Sequence, residues 1–110
     1  MNKNSFANII SQKHLLSELA KPKSPYKNSI LKRAQPELIL AICESIYNIL
    51  EGKLSLNEDQ KDKLQKYKKT LRKLAQKNKL NFKKKLLIQS GGFLSIILPS
   101  ILELISTLIE

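Results

Sequence analysis

The chain has little of what most catalytic and most extracellular domains are built from. Its 110 residues include one cysteine, one histidine and no tryptophan, and aromatic residues make up 5% of the total. The single cysteine, Cys43, closes no intramolecular disulfide, which argues against a stapled secreted domain. It lies in an apolar stretch and reads as a small buried residue. His14 has no cysteine or carboxylate around it at ligand or triad spacing, and the acidic residues stand mostly isolated. The expectation is therefore a non-enzymatic protein with no catalytic residues, no metal and no cofactor. Gly91 and Gly92 form a pair without the Lys-Ser/Thr sequel of a phosphate loop. The opening residues carry no continuous apolar run before Leu15, unlike a secretory signal, so the chain is not expected to be secreted.

Three glycines and four prolines are too few to punctuate several β-hairpins, whereas the abundant Lys, Leu, Ile, Gln and Glu mostly favour helix. The fold class is all-α: a small helical hairpin or bundle with a basic helix and an amphipathic, apolar C-terminal helix. Residues 1–35 are polar, with Pro22 and Pro25 set among Lys, Ser and Asn. They read as a largely flexible, partly disordered region with a short helix near residues 8–20. Residues 36–51 read as one helix, since Pro36 suits the first turn, Glu37 complements the positive helix end and Gly52 supplies a stop. Within it Ile39, Ile42, Cys43, Ile46, Ile49 and Leu50 form an apolar stripe.

A second helix is expected from Asn57, a good cap with Gln60 three residues on and Glu58 and Asp59 in the first turn, to about Asn78. Its Leu64, Tyr67, Leu71 and Leu74 make a narrow seam able to pair with the preceding helix, and the other faces are Lys and Arg. Tyr67 is thereby assigned to the core rather than to stacking on a base. A third, short helix is expected from Asn81, its cap, to Gln89, with Gly91 in the left-handed conformation as its stop. The chain thus divides into residues 1–35, 36–90 with a basic segment at 61–85, and 91–110.

Charge is the most informative feature. Twelve basic residues and one acid, Asp62, lie between Lys61 and Lys85, whereas the remaining 85 residues carry eight of each sign. The whole net charge of +11 therefore sits in 25 consecutive positions. A solvated face alone needs far less, roughly 2 to 8 on a small domain, and lysines one turn apart repel. Such density suggests a polyanionic partner, and nucleic acid and an anionic membrane surface both fit. Eleven of the twelve are lysines, which act as point charges on phosphate, so binding to nucleic acid should be non-specific. The expected phosphate contacts are Lys66, Lys68, Lys69, Arg72, Lys73, Lys77, Lys83, Lys84 and Lys85.

Residues 93–109 contain no basic residue. Their polar positions, Ser95, Pro99, Glu103 and Ser106 or Thr107, recur about every four residues and leave a wide apolar face. At about 1.5 Å per residue the helix is about 25 Å long, short of the roughly 30 Å hydrocarbon core of a bilayer. It either packs in a core or offers Phe93, Leu94, Ile97, Leu98, Ile101, Leu102, Ile105 and Leu108 to a membrane or a partner protein. Gly91 and Gly92 read as a hinge before it.

The order of a Lys-rich stretch, then Gln89-Ser90-Gly91-Gly92-Phe93-Leu94, then an apolar tail with Ile97-Leu98-Pro99, resembles the end of the adenoviral core protein X family, precursors of the mu peptide. It also resembles protein X counterparts of Maverick/Polinton elements and adintoviruses. In those a stretch similar to Tyr67-Lys68-Lys69-Thr70-Leu71-Arg72-Lys73-Leu74-Ala75 precedes a lysine-rich linker and a Gly-Gly-Phe-Leu junction. That similarity spans about residues 30 to 100; the adenoviral one covers the junction and tail, and its family uses arginine where this chain uses lysine. The resemblance implies a minor virion core protein, in the virion core or host nucleus, that neutralises packaged double-stranded DNA and is not an enzyme. The partner under this reading is DNA, with contact to an anionic membrane surface left open, and the alternative is a tail that docks on a capsid protein or another partner.

Overall fold

The computed structural model describes residues 6–52 and 56–108, and among them there is no strand. Eight α-helices follow one another: α1 (Ala7–Ser11), α2 (Lys13–Ala20), α3 (Lys27–Lys32), α4 (Pro36–Leu50), α5 (Glu58–Leu64), α6 (Lys68–Ala75), α7 (Leu80–Ser90) and α8 (Leu94–Leu108). Short 3-10 turns join α5 to α6 at Gln65–Tyr67 and α7 to α8 at Gly91–Phe93. The Cα radius of gyration, 12.8 Å, is that of a packed domain of this length, for which about 13 Å is expected.

Helix α8 lies at the centre. Phe93, Leu94, Ile97, Leu98, Ile101 and Ile105 are all buried, and α2, α4 and α5 pack around them. Ser95 and the exposed Pro99, Glu103, Ser106 and Thr107 mark its outer side, as their spacing predicts. Pro99 lies inside α8 and removes the hydrogen bond that the Ser95 carbonyl would accept, so packing rather than propensity holds the helix through this point.

Local chemistry sets several ends as the sequence leads one to expect. Pro36 stands at the start of α4, and Gly52 follows its end with φ 73°, a conformation that costs any residue with a Cβ. At α5 the Asn57 side chain accepts from the Gln60 N–H (2.8 Å) while Gln60 Oε1 accepts from the Asn57 N–H (3.0 Å). The Gln60 amide also donates from Nε2 to Ser100 Oγ at 3.1 Å, so one side chain both caps α5 and ties it to α8.

Elsewhere the structure departs from expectation. Residues 7–32 form three helices whose Ile9, Leu16, Leu19 and Leu31 enter the common core beside Phe6, because isolated apolar residues at helical spacing suffice once α4 and α8 offer a surface. Asn8 Nδ2 donates to Glu44 Oε1 at 3.0 Å and fastens α1 to α4. Glu44 Oε2 is buried without a partner, and burial raises this carboxyl's pKa above its ordinary value. The expected helix from Asn57 to Asn78 is split by the 3-10 turn and ends at Ala75. Helix α7 starts at Leu80 with Lys79 rather than Asn81 at its cap, and Gly91 has φ −79°, outside the left-handed region. Phe93, Leu94, Ile97, Leu98, Ile101 and Ile105 belong to the same core as the residues before them.

Candidate nucleic-acid interface

The basic segment divides according to how each helix meets the core. In α5, Lys61 and Lys63 lie within reach of first-turn acids, Lys61 3.8 Å from Glu58 and Lys63 3.0 Å from Asp59. These exposed pairs contribute only about 0.3–0.5 kcal/mol each, but they offset the local charge. Past the 3-10 turn this compensation ends. Leu71 and Leu74 are buried and fix α6 against α4 and α7, which turns Lys66, Lys68, Lys69, Arg72 and Lys73 outward. All five are exposed, and among the described residues none has an acidic partner within 4.0 Å. Lys66 Nζ stands 5.2 Å from the Tyr67 ring centroid.

The five cations form four neighbouring pairs at helical spacing: Lys66 with Lys69, Lys68 with Arg72, and Lys69 with both Arg72 and Lys73. At about 0.2–0.5 kcal/mol per like-charge pair, this face holds on the order of 1–2 kcal/mol of repulsion, which any anionic counter-charge would relieve. Lys77 and Lys79, between α6 and α7, extend the cationic surface and are exposed, as is Lys85 on α7. Lys79 escaped the sequence reading because it sits in a linker rather than on a helix face.

The run Lys83-Lys84-Lys85 does not act as one patch, since successive helical residues are turned about 100° apart. Lys83 is only 8% exposed, and its charge pulls back the thiol pKa of Cys43 that burial raises. Lys84 is half-buried, with Nζ 3.4 Å from the Ala34 carbonyl just past α3. Lys83 is thus withdrawn from the phosphate contacts expected of it, Lys84 keeps part of its surface and Lys85 faces solvent.

The apolar contact surface expected of the tail is corrected as well. Phe93, Leu94, Ile97, Leu98, Ile101 and Ile105 are interior, and Leu102 is half-buried; the side chain of Leu108 lies outside the described residues. At roughly 1.5–3 kcal/mol per buried apolar side chain, withdrawing those six costs about 10 kcal/mol or more, comparable to the whole stability of a domain. Exposing this face therefore takes the core apart.

Gly91 and Gly92, read as a hinge, lie in the 3-10 turn between α7 and α8. A Cβ at Gly92 would lie 2.6 Å from Tyr67 Oη, and the Tyr67 ring meets Phe93 edge-on, with centroids 5.7 Å apart. Tyr67 thus has the core position that its seam predicts, and Gly92 is small because that ring lies on it. Among the described residues no group of three or more His, Cys, Asp or Glu is placed to hold a metal.

The described residues form a small all-α protein with a cationic face on α6 and the turn before it, whose Lys and Arg have no acidic partner within 4.0 Å. No family model, curated protein or solved structure matches the chain.

Proposed function

We propose that the chain is a non-enzymatic, sequence-independent DNA-binding protein, a minor virion core component that neutralises the phosphates of packaged double-stranded DNA. The observation that carries this reading is the exposed cluster Lys66, Lys68, Lys69, Arg72 and Lys73, unpartnered by acids within 4.0 Å among the described residues. Its mechanism is release of counterions condensed on the duplex as the lysines replace them. With lysine predominating, contacts position the protein on the backbone and carry little base information. The virion setting rests on the resemblance in the basic stretch and the Gly91-Gly92-Phe93-Leu94 junction.

The test is fluorescence anisotropy with duplexes of unrelated sequence. The triple variant Lys69→Gln/Arg72→Gln/Lys73→Gln should weaken binding equally for all of them and flatten the log–log salt slope by about 2.7. Undiminished affinity in that variant would rule the reading out.

A second reading, membrane association, is favoured by one observation. Leu80–Thr107, taken as one helix of 28 residues, has a window of mean hydropathy 1.6 and is long and apolar enough to cross a bilayer. It requires α8 to leave the core, so leakage of anionic vesicles should coincide with loss of near-ultraviolet dichroism. Vesicles left intact dispose of it.

A further inference from the structure

The edge of the cationic face carries an aromatic side chain that the core does not use. Helix α4 buries most of its apolar residues, yet Tyr47 is 49% exposed and Leu50 is 47% exposed. With Glu51 they occupy positions i, i+3 and i+4, one face of the last turns of α4. Helix α6 faces them with Arg72, Ala75 and Gln76, and these six residues line an open cleft of about 310 Å³. Lys68 and Arg72 of α6 and Gln76 just past its end follow one another at intervals of four, so the cleft continues a row of cations. Leu50 and Lys68 also line the adjoining hollow between α4 and α5.

We propose that this cleft takes an unpaired nucleobase, stacked on the Tyr47 ring beside the Arg72 guanidinium, and that the protein therefore prefers unpaired strands to base-free polyanions of equal charge. The inference rests on the reading of the basic face as a nucleic-acid surface. The chemistry of the lining suits a base with its phosphate: a flat ring and Leu50 for the apolar face, the Gln76 amide and Glu51 carboxylate for polar edges, and Arg72 with Lys68 for the backbone. Glu51 shares the cleft with Tyr47 and raises the pKa of its hydroxyl. A base inside a duplex is already stacked and paired, so only an unpaired one enters. An aromatic residue on the polar side of α4, among Glu44 and Glu51, is the signal in the sequence that marks Tyr47.

Anisotropy at fixed salt with the full chain tests this, using a labelled oligothymidylate and a strand of the same length whose central nucleotides are abasic. Both carry the same phosphates, so electrostatic binding cancels in the comparison. The base-bearing strand should bind more tightly by between about fivefold and about a hundredfold, with quenching of tyrosine emission, readable because the chain has no tryptophan. Tyr47→Ala should abolish the preference without changing affinity for the abasic strand, and Tyr47→Phe should keep it. Equal, salt-sensitive binding of the two strands by the wild type, or a preference that survives Tyr47→Ala, overturns the stacking site and leaves the phosphate reading standing. Absence of salt-sensitive binding to either strand overturns both.

Discussion

Replacing Gly92 with alanine puts a methyl group where the Tyr67 hydroxyl lies. An ideal Cβ at position 92 falls 2.6 Å from Tyr67 Oη and 3.4 Å from Cζ, and two effects of opposite sign compete. Gly92 has no positive φ, so alanine is tolerated by the backbone and gains about 0.5–1 kcal/mol from reduced chain entropy. Against this, the ring must give way, and it is held edge-on by the fully buried Phe93; overpacking of this kind costs about 1–3 kcal/mol. The clash wins, and the net loss is about 1 kcal/mol, or about 4 °C in Tm for a domain of this size. Tyr67→Phe removes the offending atom and leaves the 3.4 Å contact, so the double variant should recover the loss. Urea unfolding followed by circular dichroism on the four proteins of the cycle measures the coupling, expected at about 1–2 kcal/mol. A Gly92→Ala protein as stable as the wild type, or a loss that Tyr67→Phe does not relieve, would refute the packing account and return Gly92 to the role of a hinge.

Other substitutions separate the roles assigned above. Asn57→Ala removes the reciprocal cap of α5 and should cost about 1 kcal/mol in urea unfolding, without altering DNA affinity. Lys83→Met replaces a buried ammonium with an apolar chain of similar length; stability should hold or rise, and the salt slope of DNA binding should stay unchanged, in contrast to Lys69→Gln. Glu44 has a folded-state pKa above its unfolded value, so its proton favours the folded state, and the stability it contributes in acid is lost as pH rises through the folded pKa. Glu44→Gln should therefore stabilise the protein at pH 7, with the advantage vanishing below about pH 3.5, where the carboxyl is protonated in both states.

How much could be read from the chain depends on whether the deciding interaction is local. The bounds of α4 follow from Pro36, Glu37 and Gly52, and the start of α5 from Asn57 and Gln60, because each signal acts within one turn of the end it sets. The break at Gln65–Tyr67 was hidden, since the seam Leu64, Tyr67, Leu71 and Leu74 stays in helical register across it. The tail's side of solvent was legible from Ser95, Pro99 and Glu103, yet its destination was not, because a wide apolar face suits a core and a membrane equally. What decides is the partner surface, supplied by α2 and α4, whose Leu16, Leu19, Ile42 and Ile46 share its core far away in sequence. The basic face was legible as charge density, whereas its division was not. That Lys83 is buried while Lys85 faces water depends on how α7 is rotated against α4, which a run of three lysines does not encode.

The central claim is that five uncompensated cations on the α5–α6 side engage DNA phosphates. Equilibrium binding of the wild-type protein to one duplex across a range of salt concentrations tests it most directly. Engagement of four or five phosphates gives a slope of about −3.6 to −4.5 in log K against log salt, a loss of about 150- to 500-fold between 50 and 200 mM. A slope near zero, or binding too weak to detect at 50 mM salt, would contradict it.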